Sequence, residues 1–150
     1  MEKSFGCSYP DVFNTVIVTK DGDIVAGGET QSNDYDMSDV SHNGSTDALL
    51  VKYDPAGNTV WKRTCGGSRY EYINGIVELP DGGFVAVGHT DSNIGSHINR
   101  GGYDAYIVKT DEDGHVQWGN TFGGSQADYF VAVEYTQRWW IPDRRVFVVQ

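Results

Sequence analysis

The acidic segment that begins at residue 33 comes closest in this sequence to a metal-binding pattern. It reads Asn33-Asp34-Tyr35-Asp36, with Asp39 shortly after it. Oxygen ligands at alternating positions suit Ca²⁺, which makes Asp34, Asp36 and Asp39 the calcium candidates of the chain. The segment lacks the glycine and the final bidentate glutamate of an EF-hand loop, and the equivalent loop at 94–97 carries no acid. An ordinary solvated polar loop is the alternative, and we predict no other cofactor.

No combination of residues in the chain specifies a reaction. Ser68 and Ser125 follow paired glycines, but there is no GxSxG nucleophile elbow. Gly66-Gly67 follows no parallel strand and opens no helix, as a phosphate-binding loop would. The histidines fall in predicted loops or at strand ends, lack the spacing of an HExxH motif, and are expected to be surface residues: His42, His89, His97 and His115. We therefore predict no catalytic and no cofactor-binding residue.

Tyrosines are concentrated in two predicted loops, Arg69-Tyr70-Glu71-Tyr72 and Gly101-Gly102-Tyr103. A tyrosine ring presents an apolar body with a hydroxyl at its tip, so it is suited to stacking on a sugar or contacting a protein. The sequence thus favours carbohydrate or protein as a partner.

Charge and hydropathy exclude other partners. The formal net charge is −10 at pH 7 and no basic stripe offsets it, so a nucleic acid would be repelled. No stretch approaches the roughly 18 apolar residues of a membrane span, and the start MEKSFGCSYP lacks the apolar segment of a secretory signal. The two cysteines, Cys7 and Cys65, are too few for a disulfide framework. Abundant glycine, 19 of 150 residues, suits many short strands joined by tight turns.

An internal repeat organises these residues. Segments 47–68 and 104–125 match without a gap at an offset of 57, with 11 of 22 positions identical. Segments 21–33 and 81–93 match at an offset of 60, with 8 of 13 identical. The offset changes from 60 to 57 between the end of the 21–33 segment and the start of the 47–68 segment. The loop there, 34–46, is three residues longer than its counterpart 94–103. A surface loop tolerates such a difference at a cost of about 0.2 kcal/mol.

Each repeat predicts four short strands, which in the second copy are Tyr72–Leu79, Phe84–Thr90, Ala105–Thr110 and His115–Thr121. Both faces of the third strand are apolar, which indicates that neighbouring sheets stack on each other. Four antiparallel strands, with a neighbouring sheet on each face, are the design of a β-propeller blade. The predicted fold is therefore all-β, an incomplete propeller of roughly two and a half units.

Seven recurring residues are predicted to anchor the unit structurally. The tryptophans are expected to pack between sheets, and the aspartates to accept hydrogen bonds from backbone N–H groups in the turn before the third strand. The glycines close turns that need a positive φ. These residues are Trp61, Trp118, Asp47, Asp104, Gly57, Gly114 and Gly82.

The motif string resembles a known group of proteins. DGGFVAVG, then DAYIVKTD with a glycine turn, Trp118 and FGGS, looks like the tandem repeats of large bacterial cell-surface or secreted β-propeller-like proteins. The resemblance covers residues 1–137. It implies a blade-like fold and an extracellular or cell-surface setting for the parent protein, and it implies no particular ligand.

The repeat predicts how the chain is divided. Residues 1–64 form a partial to full unit, 65–121 a second, and 122–137 the start of a third. At 138–141, Arg-Trp-Trp-Ile stands where the repeat predicts Asp-Gly-Gly-Phe. Because Trp has one codon, a one-base shift can restore that motif, so we hypothesise that residues 138–150 are out of frame. The alternative is a genuine C-terminal strand, since Val146–Val149 has good β-propensity. The nucleotide sequence decides between them.

The predicted function is a non-catalytic interaction or scaffold module, a fragment of a larger surface or secreted repeat protein. The alternative is a fragment of a propeller hydrolase or lyase whose active site lies outside this chain. An unclosed propeller leaves sheet edges and a blade face exposed, so self-association is also expected.

Overall fold

The computed structural model describes residues 4–136 of the chain and the backbone of residues 145–149. Within these ranges the strands are β1 (Asp11–Val18), β2 (Ile24–Thr30), β3 (Asp47–Tyr53), β4 (Thr59–Cys65), β5 (Glu71–Glu78), β6 (Phe84–Thr90), β7 (Asp104–Thr110), β8 (Val116–Phe122), β9 (Ala132–Thr136) and β10 (Arg145–Val149). One turn of 3₁₀-helix covers Tyr35–Met37. The same residues contain no helix long and apolar enough to cross a membrane.

The strands form antiparallel sheets in chain order. Sheet 1 has the order β1-β2-β3-β4, sheet 2 the order β5-β6-β7-β8, and β9 pairs with β10. The all-β class and the four-stranded antiparallel sheets predicted from the repeat are confirmed. The four strands predicted for the second copy agree with β5 to β8 to within one residue at each end.

The sheets stack face to face, which is why the strands are apolar on both faces. The core between sheets 1 and 2 includes Leu50 and Trp61 from one side and Phe84 and Val108 from the other. The opposite face of sheet 2 packs on Phe130 and on Val133 of β9. The opposite face of sheet 1 is covered in part by the chain's own N-terminal segment and by the loop that contains Met37.

A β-bulge interrupts the first strand of each sheet at the same repeat position. In β1 the register shifts between Phe13 and Thr15, and in β5 between Ile73 and Gly75. The extra residues are Asn14 and Asn74, and a bulge re-aims such a side chain away from the regular pleat. Here both side chains turn toward the following sheet, where each hydrogen-bonds a backbone carbonyl.

The glycine anchors occupy the tight turns. Gly57, Gly82 and Gly114 have φ angles of 79°, 84° and 78°. At a positive φ a Cβ atom crowds the backbone, so these positions favour glycine, which has none.

The last strand follows a longer connection than the repeat predicts. Glu78 pairs with Phe84 in sheet 2, so the offset of 57 predicts that Tyr135 pairs with residue 141. Tyr135 instead pairs with Val146, five residues later. Residues 138–144 and 150 of the hypothesised out-of-frame tail lie outside the described residues, and the reading-frame hypothesis stays a prediction.

Candidate ligand-binding site

Four aromatic rings meet where the loops before β5, β7 and β9 come together. Tyr72 is the second residue of β5 and pairs directly with His89 of β6. Tyr103 immediately precedes β7, and Tyr129 lies three residues before β9. We call these four residues the aromatic cluster. The two tyrosine-rich loops singled out in the sequence are therefore neighbours in space.

The rings pack around the imidazole of His89. Its centroid lies 4.6 Å from that of Tyr72, with 16° between the planes, so the two rings are stacked. The rings of Tyr103 and Tyr129 meet the imidazole edge to face at 5.1 and 4.8 Å. Stacked and edge-to-face ring pairs stabilise a fold by more than the burial of their apolar surface alone would give. The cluster is therefore a preorganised surface, with little ring motion left to lose when a ligand binds.

An asparagine from the β5 bulge holds the cluster against the next sheet. Asn74 Nδ2 donates to the carbonyl of Phe130 at 2.8 Å and lies 3.3 Å from His89 Nδ1. Sheet 1 repeats this arrangement, because Asn14 Nδ2 donates to the carbonyl of Ile73 at 3.1 Å and to Glu29 Oε2 at 2.6 Å. The bulged asparagine thus links sheets 1 and 2 each to the structure that follows. It also holds the side chain opposite it on the second strand, which is Glu29 in sheet 1 and His89 in sheet 2.

Burial keeps the cluster uncharged at neutral pH. It lowers the pKa of His89 to about 4, so the imidazole is neutral. Burial also raises the pKa of Tyr72 to about 12, which keeps its phenol protonated. The cluster therefore offers ring faces, hydroxyls and a neutral imidazole, without the strong hydration of an ion.

The titration of His89 predicts a loss of stability in acid. A histidine whose folded pKa lies near 4, below its ordinary value of 6.5, stabilises the fold above pH 6.5, and this contribution is lost as the pH falls toward 4. Because the imidazole is only partly buried and solvent screens part of the effect, the loss between pH 7 and pH 4.5 amounts to about 1–2 kcal/mol. A His89→Phe variant keeps a ring but cannot be protonated, so its free energy of unfolding should gain about that much relative to the original protein over this range. Urea unfolding at both pH values measures the difference, and parallel pH profiles would contradict it.

The outer side of the cluster is open to solvent. Tyr129 is 42% exposed and Tyr70, in the loop before β5, is 38% exposed. The backbone N–H of Tyr70 donates to Asp91 Oδ1 at 2.9 Å. Arg69 pairs with the other oxygen of Asp91 at 3.2 Å. A ligand at this surface would meet aromatic rings flanked by a polar, charged rim.

A buried carboxylate lies next to the cluster in sequence, and the sequence analysis missed it. Glu71 is fully buried, accepts a hydrogen bond from Thr90 Oγ1 at 2.8 Å, and has its pKa raised by burial. In sheet 1, Asp11 accepts from Thr30 in the same way. The two repeat copies, aligned with each other, contain the pattern that indicates this pair: an acid recurs at 11 and 71, and Thr-x-Ser recurs at 30–32 and 90–92.

His89 also corrects the sequence analysis, which placed it among surface histidines. It lies within β6 and is partly buried. Its cross-strand neighbour Tyr72 covers one face of the ring. Only the pairing register brings the two together, and a single strand read alone does not contain that information.

The first predicted aspartate anchor caps its own loop. Asp47 is buried and accepts hydrogen bonds from the backbone N–H groups of Asn43 at 2.7 Å and Gly44 at 2.9 Å. This is the role predicted for it.

Its counterpart Asp104 is placed differently. Asp104 is equally buried, but its Oδ1 has no hydrogen-bond partner. Gly101 is the equivalent of Gly44, and its N–H donates instead to Asn99 Oδ1 at 3.1 Å. The loop with three fewer residues has an asparagine where the longer loop has His42, and this asparagine takes the donor.

The calcium candidates are each committed to a different protein group. Asp34 accepts from the N–H of Ser8 at 3.1 Å, and Asp36 from the N–H of Gly6 at 3.0 Å. Asp39 pairs with Lys62 Nζ at 2.8 Å. Among residues 4–136, no group of three or more His, Cys, Asp or Glu side chains is placed to hold a metal ion.

The two tryptophan anchors differ in exposure. Trp61 is 7% exposed and packs between sheets 1 and 2. Trp118 is 43% exposed, although it pairs with Lys109 in the register in which Trp61 pairs with Lys52. The exposed face of β8 that carries Trp118 is a surface of the kind expected to self-associate, and that association stays a prediction.

Comparison with known proteins adds no family assignment. No protein-family model matches this chain, and no curated protein is significantly similar to it. What the chain does has to be inferred from its own geometry.

Proposed function

We propose that this chain is a non-catalytic binding module, made of β-propeller-type blades, which holds a carbohydrate on its aromatic cluster. The observation that carries the proposal is the convergence of Tyr72, His89, Tyr103 and Tyr129 on one surface. A sugar ring presents C–H groups on its face and hydroxyls on its edge, which match a tyrosine ring and its polar rim. The neutral state of His89 suits an uncharged ligand.

The contacts between sheets support the blade interpretation. Sheets 1 and 2 are each a four-stranded antiparallel meander, and Asn14 and Asn74 make the same hydrogen bond toward the following sheet at equivalent positions. A structure that repeats its inter-sheet contacts in this way can add further sheets by the same rule. By its resemblance to surface repeat proteins, the parent protein belongs at the cell surface or outside the cell.

The alternative, a fragment of a propeller hydrolase or lyase with its active site elsewhere, has no observation in its favour among the described residues. Binding also fits the location of the cluster, since loops that meet at one end of stacked sheets are the usual position of a binding surface.

A glycan array tests the proposal. We expect the protein to bind a restricted set of glycans equally well with calcium and with a chelator, since Asp34, Asp36 and Asp39 already have protein partners. Tyr129→Ala removes the most exposed ring of the cluster and should weaken binding about tenfold.

The matched control is Tyr9→Ala, which removes a tyrosine that is 63% exposed and is not part of the cluster. This variant should bind as the original protein does. An array without signal, or equal losses in the two variants, would overturn the assignment of the cluster as a carbohydrate site.

A further inference from the structure

The outer face of sheet 1, the one turned away from sheet 2, contains an open cleft with a volume of about 710 Å³ where the N-terminal segment and the Met37 loop leave it uncovered. It is lined by Phe5, Phe13, Ile24 and Tyr53 and by the turn at 55–59. The rings of Phe5 and Phe13 lie 5.5 Å apart. A cleft that is mainly apolar, with a few polar groups at its edge, is the usual form of a ligand site.

The corresponding place on sheet 2 is filled by the indole of Trp61. This ring meets Phe84 edge to face at 6.0 Å. Its Nε1–H donates to the backbone carbonyl of Glu112 at 3.1 Å. At Gly114 the indole lies so close that a Cβ there would be 2.9 Å from it. An aromatic wall, a carbonyl acceptor and a glycine that leaves room for the ring therefore define the socket.

Each part of this socket has a counterpart in the open cleft. Ile24 occupies the repeat position of Phe84, and Pro55 supplies a backbone carbonyl at the position of Glu112. Gly57 occupies the position of Gly114 and has nearly the same φ, 79° against 78°. The cleft is therefore the copy of the Trp61 socket that belongs to sheet 1.

We propose that this cleft binds the indole ring of a tryptophan carried on an extended peptide strand. The apolar lining accepts the ring, and the Pro55 carbonyl accepts the indole N–H, as the Glu112 carbonyl does for Trp61. The inference is independent of the carbohydrate site, because the cleft is on the outer face of sheet 1 and the aromatic cluster belongs to sheet 2 and the loop before β9. Trp118 is exposed and has the same strand register as Trp61. Strand β8 of a second copy of this chain is therefore one peptide strand that carries such a tryptophan.

The probe for this site is N-acetyl-L-tryptophanamide, titrated into the ¹⁵N-labelled full chain. We expect saturable NMR shifts at the amides of Gly57, Asn58 and Thr59, with a dissociation constant of about 1 mM or below. Ile24→Ala removes one wall and should weaken binding about tenfold. The matched control is Val18→Ala, in the same sheet at a residue that is 72% exposed and outside the cleft; it should bind normally.

Further arms of the experiment decide the remaining outcomes. N-acetyl-L-leucinamide should give no saturable shift, and equal binding of the two amides would overturn the proposal, since the site would then be merely apolar. The absence of saturation, or unchanged binding in Ile24→Ala, would also overturn it. Shifts of the same amides on dilution that vanish in Trp118→Ala would support the proposal and identify the strand as that of a second copy.

Discussion

Replacing Trp61 with alanine should lower the free energy of unfolding by about 3–5 kcal/mol. The side chain is 7% exposed and lies in the core shared by sheets 1 and 2. Its loss removes the contact with Phe84 and the hydrogen bond to the Glu112 carbonyl, and it leaves a cavity between the sheets. Urea unfolding, followed by far-ultraviolet circular dichroism, measures the change.

Trp118→Ala is the matched control, because the same residue type occupies the same repeat position. The indole of Trp118 is 43% exposed, so its removal opens no cavity in a core. We expect a loss of about 1 kcal/mol or less. Comparable losses in the two variants would contradict the arrangement in which the first tryptophan joins two sheets and the second is left uncovered.

Replacing Gly88 with alanine should cost about 3 kcal/mol or more. A Cβ at this position would lie 1.8 Å from the carbonyl oxygen of Tyr72, and backbone atoms cannot rotate out of the way as a side chain can. The clash lies at the β5 bulge, so relieving it would also displace Tyr72 and Asn74. Thermal unfolding measures the loss, and the near-ultraviolet circular dichroism of the aromatic cluster should change with it.

Gly124→Ala is the control for this substitution. No atom lies within 4 Å of a Cβ built there, so we expect a change within about 0.5 kcal/mol. If Gly88→Ala were equally mild, the close approach of β5 and β6 at the bulge would be refuted. The same reasoning applies to Gly28, where a Cβ would lie 1.8 Å from the carbonyl oxygen of Val12.

The strands could be predicted from the sequence because their signals are local. Asp81-Gly82 marks a hairpin, and the alternation of apolar residues marks the strands on either side. Because the repeat shows each element twice, the predicted boundaries of β5 to β8 agree with the structure to within one residue. Only the structure explains the last glycine of the DGGFVAVG motif, Gly88. The carbonyl oxygen of Tyr72, which leaves no room for a Cβ there, belongs to another strand, β5.

The candidate site was predicted only in part. The two tyrosine-rich loops were recognised from composition, but the central position of His89 depends on cross-strand pairing with Tyr72. Tyr129 joins the cluster only because the next sheet stacks on sheet 2, a contact between residues far apart in the chain.

The contrast between Asp47 and Asp104 also arises from non-local structure. The two residues begin equivalent strands, and the repeat predicted the same hydrogen bonds for both. The loop before Asp104 is three residues shorter, and Asn99 within it takes the N–H that the repeat predicts for the aspartate. A difference in loop length therefore altered the hydrogen bonding of a buried residue while leaving the strand that it begins unchanged.

The most direct test of the central claim is a calorimetric titration with the glycan that binds most strongly on the array. The claim is that the aromatic cluster, and no other surface, holds the ligand. It predicts saturable binding to the original protein, about tenfold weaker binding to Tyr129→Ala, and unchanged binding to Tyr9→Ala. Equal affinity of Tyr129→Ala and the original protein would contradict the claim.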